Sequence, residues 1–203
     1  MGLEAVLQDP RVWRLGRESP ARPAGIATGF AALDALLPGR GWPRGALTEI
    51  VTAGQGSGAL GLLIPALADL SQSEQWLAWI DPPYLPYAPA LARRGIDLAR
   101  VLIVLGTRTR GEMLWAVEQA LRSGACGAVL VWLRSAHPRE LRRLQLAAEV
   151  GQCWGVVFRP SVALDESSPA ALRLLVASPS TVHILKRRGG EGVVRLDLRD
   201  PAW

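Results

Sequence analysis

Cysteine, lysine, methionine and histidine are all scarce in this chain, and most of these scarcities exclude something. Two cysteines in 203 residues, Cys126 and Cys153 with no CxxC spacing, leave neither a disulfide framework nor a thiolate zinc site. His137 and His183 stand alone, without a third ligand at metal spacing, so a capping or surface role is expected for each. One lysine, Lys186, stands among 23 basic residues, far in sequence from the glycine-rich stretch. Long apolar runs are missing too. Gly, Pro or charge interrupts each one before the roughly 18 residues that a membrane span needs. The opening Met1–Asp9 is short and mixed, unlike a secretory leader, and a cytoplasmic protein is expected.

What is present is a globular composition. Hydrophobic residues make up 49% of the chain, enough to bury a substantial core in one α/β domain. The net charge is +5, carried almost wholly by arginine. Such basicity suits contact with nucleic acid or an acidic protein surface, but arginine-favouring codon usage accounts for it equally well.

Two parts are expected: an N-terminal arm over residues 1–24, broken by Pro10, Pro20 and Pro23, and a core over residues 25–203. From Leu47 strand and helix signals alternate, which points to a mainly parallel sheet flanked by helices. Strands are expected at Leu47–Val51, Trp76–Ile80, Val101–Leu105, Ala128–Leu133 and Gly155–Phe158. Helices are expected at Ala59–Leu70, bent at Pro65, and at Leu85–Arg94, stopped by Gly95. Thr109 and Glu112 have capping-box spacing before a third helix. Pro138 suits the first turn of a fourth, with Leu141, Leu144 and Ala148 inward. Ala170–Leu175 reads as helical or irregular, and Thr181–Leu185 with Val193–Leu198 as a C-terminal β-hairpin.

The most telling stretch runs from Thr28 to Leu60. A P-loop reads G-x-x-x-x-G-K-[ST], its lysine reaching the phosphates and its hydroxyl holding Mg²⁺. Here Ala53 takes the first glycine, Gly54, Gly56, Ser57 and Gly58 follow, and Ala59 and Leu60 replace the lysine and the hydroxyl. The order of Thr28-Gly29, Leu33-Asp34, Glu49-Ile50, this loop, Ile80-Asp81, Arg94-Gly95-Ile96-Asp97 and Arg122-Ser123-Gly124-Ala125 resembles the RecA recombinase core. The resemblance implies a RecA-like P-loop NTPase fold over most of the chain. It places Trp132-Leu133 where the Walker-B carboxylate would follow, and Pro83 where the water-activating glutamate would stand. With lysine, hydroxyl and both carboxylates replaced, no catalytic residue, cofactor or metal is expected, and the chain reads as a pseudo-ATPase.

Other surfaces offer binding residues. Arg139, Arg142 and Arg143 share a helix face and could contact DNA phosphates. Lys186, Arg187 and Arg188 form a second basic patch that could steer an acidic surface. Trp13, Leu15 and Trp203 are apolar anchors in the arm and tail. Trp76, Trp79, Trp115, Trp132 and Trp154 are expected in the core, whereas Trp42 joins Trp13 and Trp203 as an interface residue.

Small RecA-like chains with a ruined P-loop are similar to two related SOS-response groups. ImuA acts in translesion synthesis, and SulA inhibits cell division by binding FtsZ. The complete strand–helix series and C-terminal hairpin favour ImuA, since SulA-type chains are shorter. That resemblance implies a mutagenesis adaptor binding an ImuB-type Y-family polymerase homologue, RecA and an error-prone C-family DNA polymerase in response to DNA damage. The SulA alternative implies FtsZ as partner, and an unorthodox ATPase is the enzymatic alternative.

Overall fold

The computed structural model describes residues 24–52, 58–178, 180–187 and 192–195. Residues 1–23 of the expected arm, with Trp13 and Leu15, lie outside them, as do Ala53, Gly54, Gly56, Ser57, Arg188 and Trp203. The described residues form one eight-stranded mixed sheet in the order β3-β2-β4-β5-β1-β6-β7-β8. Its strands are β1 (Ala46–Thr52), β2 (Trp76–Ile80), β3 (Val101–Val104), β4 (Cys126–Trp132), β5 (Trp154–Pro160), β6 (Leu172–Ser178), β7 (Thr181–Lys186) and β8 (Gly192–Arg195). From β3 through to β6 every pairing is parallel, while β6–β7 and β7–β8 are antiparallel.

Helices cover both faces, as a parallel sheet requires. On one face α2 (Ile64–Gln72) and the short helices α1 (Ala31–Asp34) and α3 (Ala88–Arg93) pack over Ile50, Trp79, Leu130 and Val156. On the other, α4 (Arg110–Arg122) and α5 (Pro138–Gly151) cover Leu47, Ile80, Val129 and Val157. Central strands are therefore apolar on both sides.

Several elements depart from expectation for identifiable reasons. Helix α2 starts at Ile64, five residues late, because Pro65 sits in its first turn, where its missing N–H costs nothing. Ala170–Leu175 is no helix: from Leu172 it extends as β6, pairing with β1 from Thr48↔Leu172 to Thr52↔Val176. At Thr109 only half of the expected box forms. Thr109 Oγ1 accepts from the Glu112 amide, but the Glu112 carboxylate reaches one residue further back, to the Arg108 amide. His137 supplies the complete capping box instead, with Glu140 as its partner on α5.

The tryptophans redistribute most. Trp42 is fully buried, held by the Ile26↔Trp42 bridge and stacked on Trp154 at 5.1 Å between centroids. Trp115, expected in the core, is 62% exposed. Trp76, also expected there, is exposed at the start of β2, with the Arg100 guanidinium 5.6 Å from its ring.

Where a P-loop NTPase core would carry its phosphate-binding lysine and Mg²⁺-holding hydroxyl, the described residues after β1 carry Ala59 and Leu60. Ala59 is buried and Leu60 packs against the same apolar cluster as Leu62 and Leu63, so the two positions that would serve phosphate and Mg²⁺ serve the core. That removes the physical basis for the expected nucleotide-site fold.

Where α5 ends, its backbone meets the end of α4. A Cβ on Gly151 would stand 1.9 Å from the Leu121 carbonyl oxygen. Because the obstacle is backbone, Gly151→Ala is expected to destabilise the protein by about 1–3 kcal/mol, read by urea unfolding.

Candidate functional site

The carboxyl ends of β1, β2, β4 and β5 frame a cleft of about 480 Å³. Crevices in this position of an α/β sheet are where ligands generally bind. Its lining includes Thr52, Asp81, Pro83, Trp132, Arg134 and Arg159. Trp132 lies against Phe158, 4.8 Å between centroids and 7° from parallel, which makes an aromatic floor. Pro83 and Trp132 build apolar walls.

Asp81 is occupied structurally. Its Oδ1 accepts from the Gly106 amide at 2.9 Å and its Oδ2 from the Thr107 hydroxyl, which clamps the loop after β3 onto the end of β2. The backbone there has φ +42°, a conformation that aspartate tolerates better than most residues.

Beneath the cleft lies a buried charge cluster that crosses three strands. Arg159 Nη1 is 3.4 Å from Glu49 Oε1, and Arg159 Nη2 is 2.8 Å from Glu166 Oε2. Arg173 Nε is 3.2 Å from Glu49 Oε2. That last contact is an ion pair without a directed hydrogen bond, since neither atom has a hydrogen-bond partner. Arg173 also donates to the carbonyls of Ala163, Leu164 and Glu166, fixing the 3₁₀ segment Ser161–Asp165 after β5. Two guanidinium and two carboxylate groups balance, so the cluster is neutral. The signal was present in the sequence as charges inside apolar strands, in Leu47-Thr48-Glu49-Ile50, Val157-Phe158-Arg159 and Leu172-Arg173-Leu174, but not their pairing.

A second link joins the helix starts beside the cleft. Arg110 donates Nε to Glu140 Oε1 at 3.0 Å and Nη2 to Glu140 Oε2 at 2.6 Å, and also holds the Ser135 carbonyl at 2.8 Å. The hydrogen bonds from Arg110 hold the Glu140 carboxyl at about 2, below its ordinary 4.5, while Glu140 raises the Arg110 value. A depressed carboxylate stabilises the fold above its unfolded value and loses that contribution as pH falls. Stability supplied by this pair is therefore expected to decline between about pH 4.5 and 2. Arg110→Ala should reduce that acid-side slope, the His137 amide still holding Glu140, and cost about 0.5–1 kcal/mol at neutral pH, both measurable by thermal melts across pH.

The other sequence-derived residues lie apart. On α5, all three arginines are exposed, but Arg143 Nε is paired with Glu118 Oε2 of α4 at 2.8 Å, which leaves Arg139 and Arg142 as the members of that face with no ion pair among the described residues. Lys186 Nζ donates to the Ser168 carbonyl at 2.6 Å and Arg187 to the Leu36 carbonyl, so both are bound into their own chain. Gly58, with φ +77°, opens the turn into Ala59 and Leu60. The structure brings none of these to the cleft. Arg134, which does line it, was missed because a lone arginine after a strand carries no pattern.

Comparison with known proteins decides the family. The family model described as cell division inhibitor SulA matches residues 45–155, more than half of the chain and all of β1 through the start of β5. The chain belongs to the SulA family. It is 32% identical to a cell division inhibitor SulA from Edwardsiella piscicida over 62% of this chain and 69% of that protein. It is also 28% identical to one from Serratia proteamaculans over 66% of this chain and 79% of that protein. The crystal structure of SulA from Pseudomonas aeruginosa matches 57% of this chain and 98% of its own, at 30% identity and a TM-score of 0.48.

Membership in the SulA family overturns the ImuA assignment, and with it the translesion-synthesis role and the partners ImuB, RecA and a C-family polymerase. The RecA-like P-loop NTPase core is likewise replaced by a SulA-type mixed sheet with helices. Chain length and the C-terminal hairpin, which favoured ImuA, both lie outside the matched residues 45–155. No helix among the described residues is long and apolar enough to cross a membrane.

Proposed function

We propose that this protein inhibits cell division in the manner of SulA, by binding FtsZ and limiting its polymerisation without consuming nucleotide. The observation that carries the function is the SulA family match over residues 45–155, which contains most of the cleft. FtsZ as target is what that relationship implies. A binding role without turnover is supported at two places: away from the cleft Ala59 is buried and Leu60 packs against the core, and in the cleft Pro83 and Trp132 are apolar walls. Phosphoryl transfer works by positioning and charge neutralisation, and none of these four side chains contributes either.

Adding purified protein to polymerising FtsZ should lower light scattering and pelletable polymer in proportion to concentration. Unchanged polymer at a molar excess would exclude the function. In parallel, no Mg²⁺-dependent phosphate release from ATP is expected, and Ala59→Lys should not create it. Turnover that co-elutes with the protein on gel filtration would reject the non-enzymatic reading.

A further inference from the structure

Resting on the FtsZ-directed function above, we propose that the cleft at the carboxyl ends of β1, β2, β4 and β5 receives an aromatic side chain of the target protein, next to a target carboxylate held by Arg134. The shape argues for the ring. Pro83 and Pro160 give rigid apolar walls, Trp132 is half-buried over Phe158, and about 480 Å³ exceeds what one aromatic side chain fills. Beyond Pro83 the surface continues as exposed Tyr84 and Leu85, which enlarges the apolar contact a protein partner could cover. Exposed apolar patches rimmed by polar groups are typical of interaction surfaces.

Charge argues for the carboxylate. Every acid at the cleft is already engaged: Asp81 by Gly106 and Thr107, Glu49 by Arg159 and Arg173, and Glu166 by Arg159. What remains is positive. Arg134 is exposed at the rim with no ion pair among the described residues, whereas Arg159, buried in the lining, is already balanced by Glu49 and Glu166. An arginine beside an aromatic floor suits an acid adjacent to a ring, the charge setting approach and register and the ring filling the depth.

The test uses the full chain and purified FtsZ. Wild type is expected to lose affinity as salt rises; Arg134→Glu, an exposed substitution, should weaken binding at least tenfold and flatten that salt dependence. Pro83→Trp, which fills the cleft from its rim, should weaken binding similarly. Arg195→Glu, on the opposite edge strand β8, controls for net charge and should stay within twofold of wild type. Circular dichroism and melting temperature establish that each variant is folded. If wild type binds FtsZ and Arg134→Glu binds equally well, the cleft assignment is overturned while the function stands. Equal losses in Arg134→Glu and Arg195→Glu also overturn it, because net charge would then explain both. If wild type does not bind FtsZ, the function fails and the inference with it.

Discussion

Replacing Glu49 with leucine is expected to destabilise the protein by about 3–5 kcal/mol. Glu49 is 1% exposed and lies between two buried guanidinium groups. Removing it leaves Arg159, 1% exposed, with only Glu166, and the largely buried Arg173 with only backbone carbonyls. An unpaired buried charge costs more than the pair itself contributes, so the double variant Glu49→Leu with Arg159→Met should recover part of the loss. Urea unfolding of the three proteins measures it. A Glu49→Leu variant within about 1 kcal/mol of wild type would mean that water reaches the cluster, contrary to its burial.

Trp154→Ala should cost a similar amount, about 3–5 kcal/mol. The indole is fully buried at the start of β5, stacks on Trp42, and donates Nε1–H to Thr48 Oγ1 at 2.9 Å. Truncation opens a cavity in the centre of the sheet, removes one half of the stack and strands a buried hydroxyl. Trp154→Phe keeps most of the ring volume and should lose only about 1–2 kcal/mol, mainly the hydrogen bond and a little packing. A loss of the same size in both variants would assign the stability to the hydrogen bond and not to packing. The two predictions concern different forces on adjacent strands, charge pairing on one face of β1 and apolar packing on the other.

How far the site was legible depended on whether its signal was local. The replacements at Ala59, Leu60, Pro83 and Trp132 are visible as departures from a linear motif, and all four proved to be core or cleft-wall residues. The cleft as a whole was not visible, because Thr52, Asp81, Arg134 and Arg159 come together only through the strand order β2-β4-β5-β1. The choice between two related families went wrong for a similar reason. It rested on peripheral features, length and a terminal hairpin, while the family match lies in the central strands and helices.

The sequence by itself determined what short-range chemistry decides. Pro138 set the first turn of α5, Thr109 one cap of α4, Gly95 the stop after α3, and the apolar runs the central strands. Only the tertiary structure decided matters that depend on distant partners. Trp42 became core because Trp154, over a hundred residues on, offers it a stacking face, whereas Trp115 remained exposed despite a helical position. Residues 172–175 became strand because β1 had an open edge to pair with, and backbone hydrogen bonding to a neighbour outweighs weak local propensity. Glu49 and Arg159 are 110 residues apart in the chain and neighbours in the sheet. Pattern and capping act within a turn or a strand, while burial and charge pairing are settled only when distant segments meet.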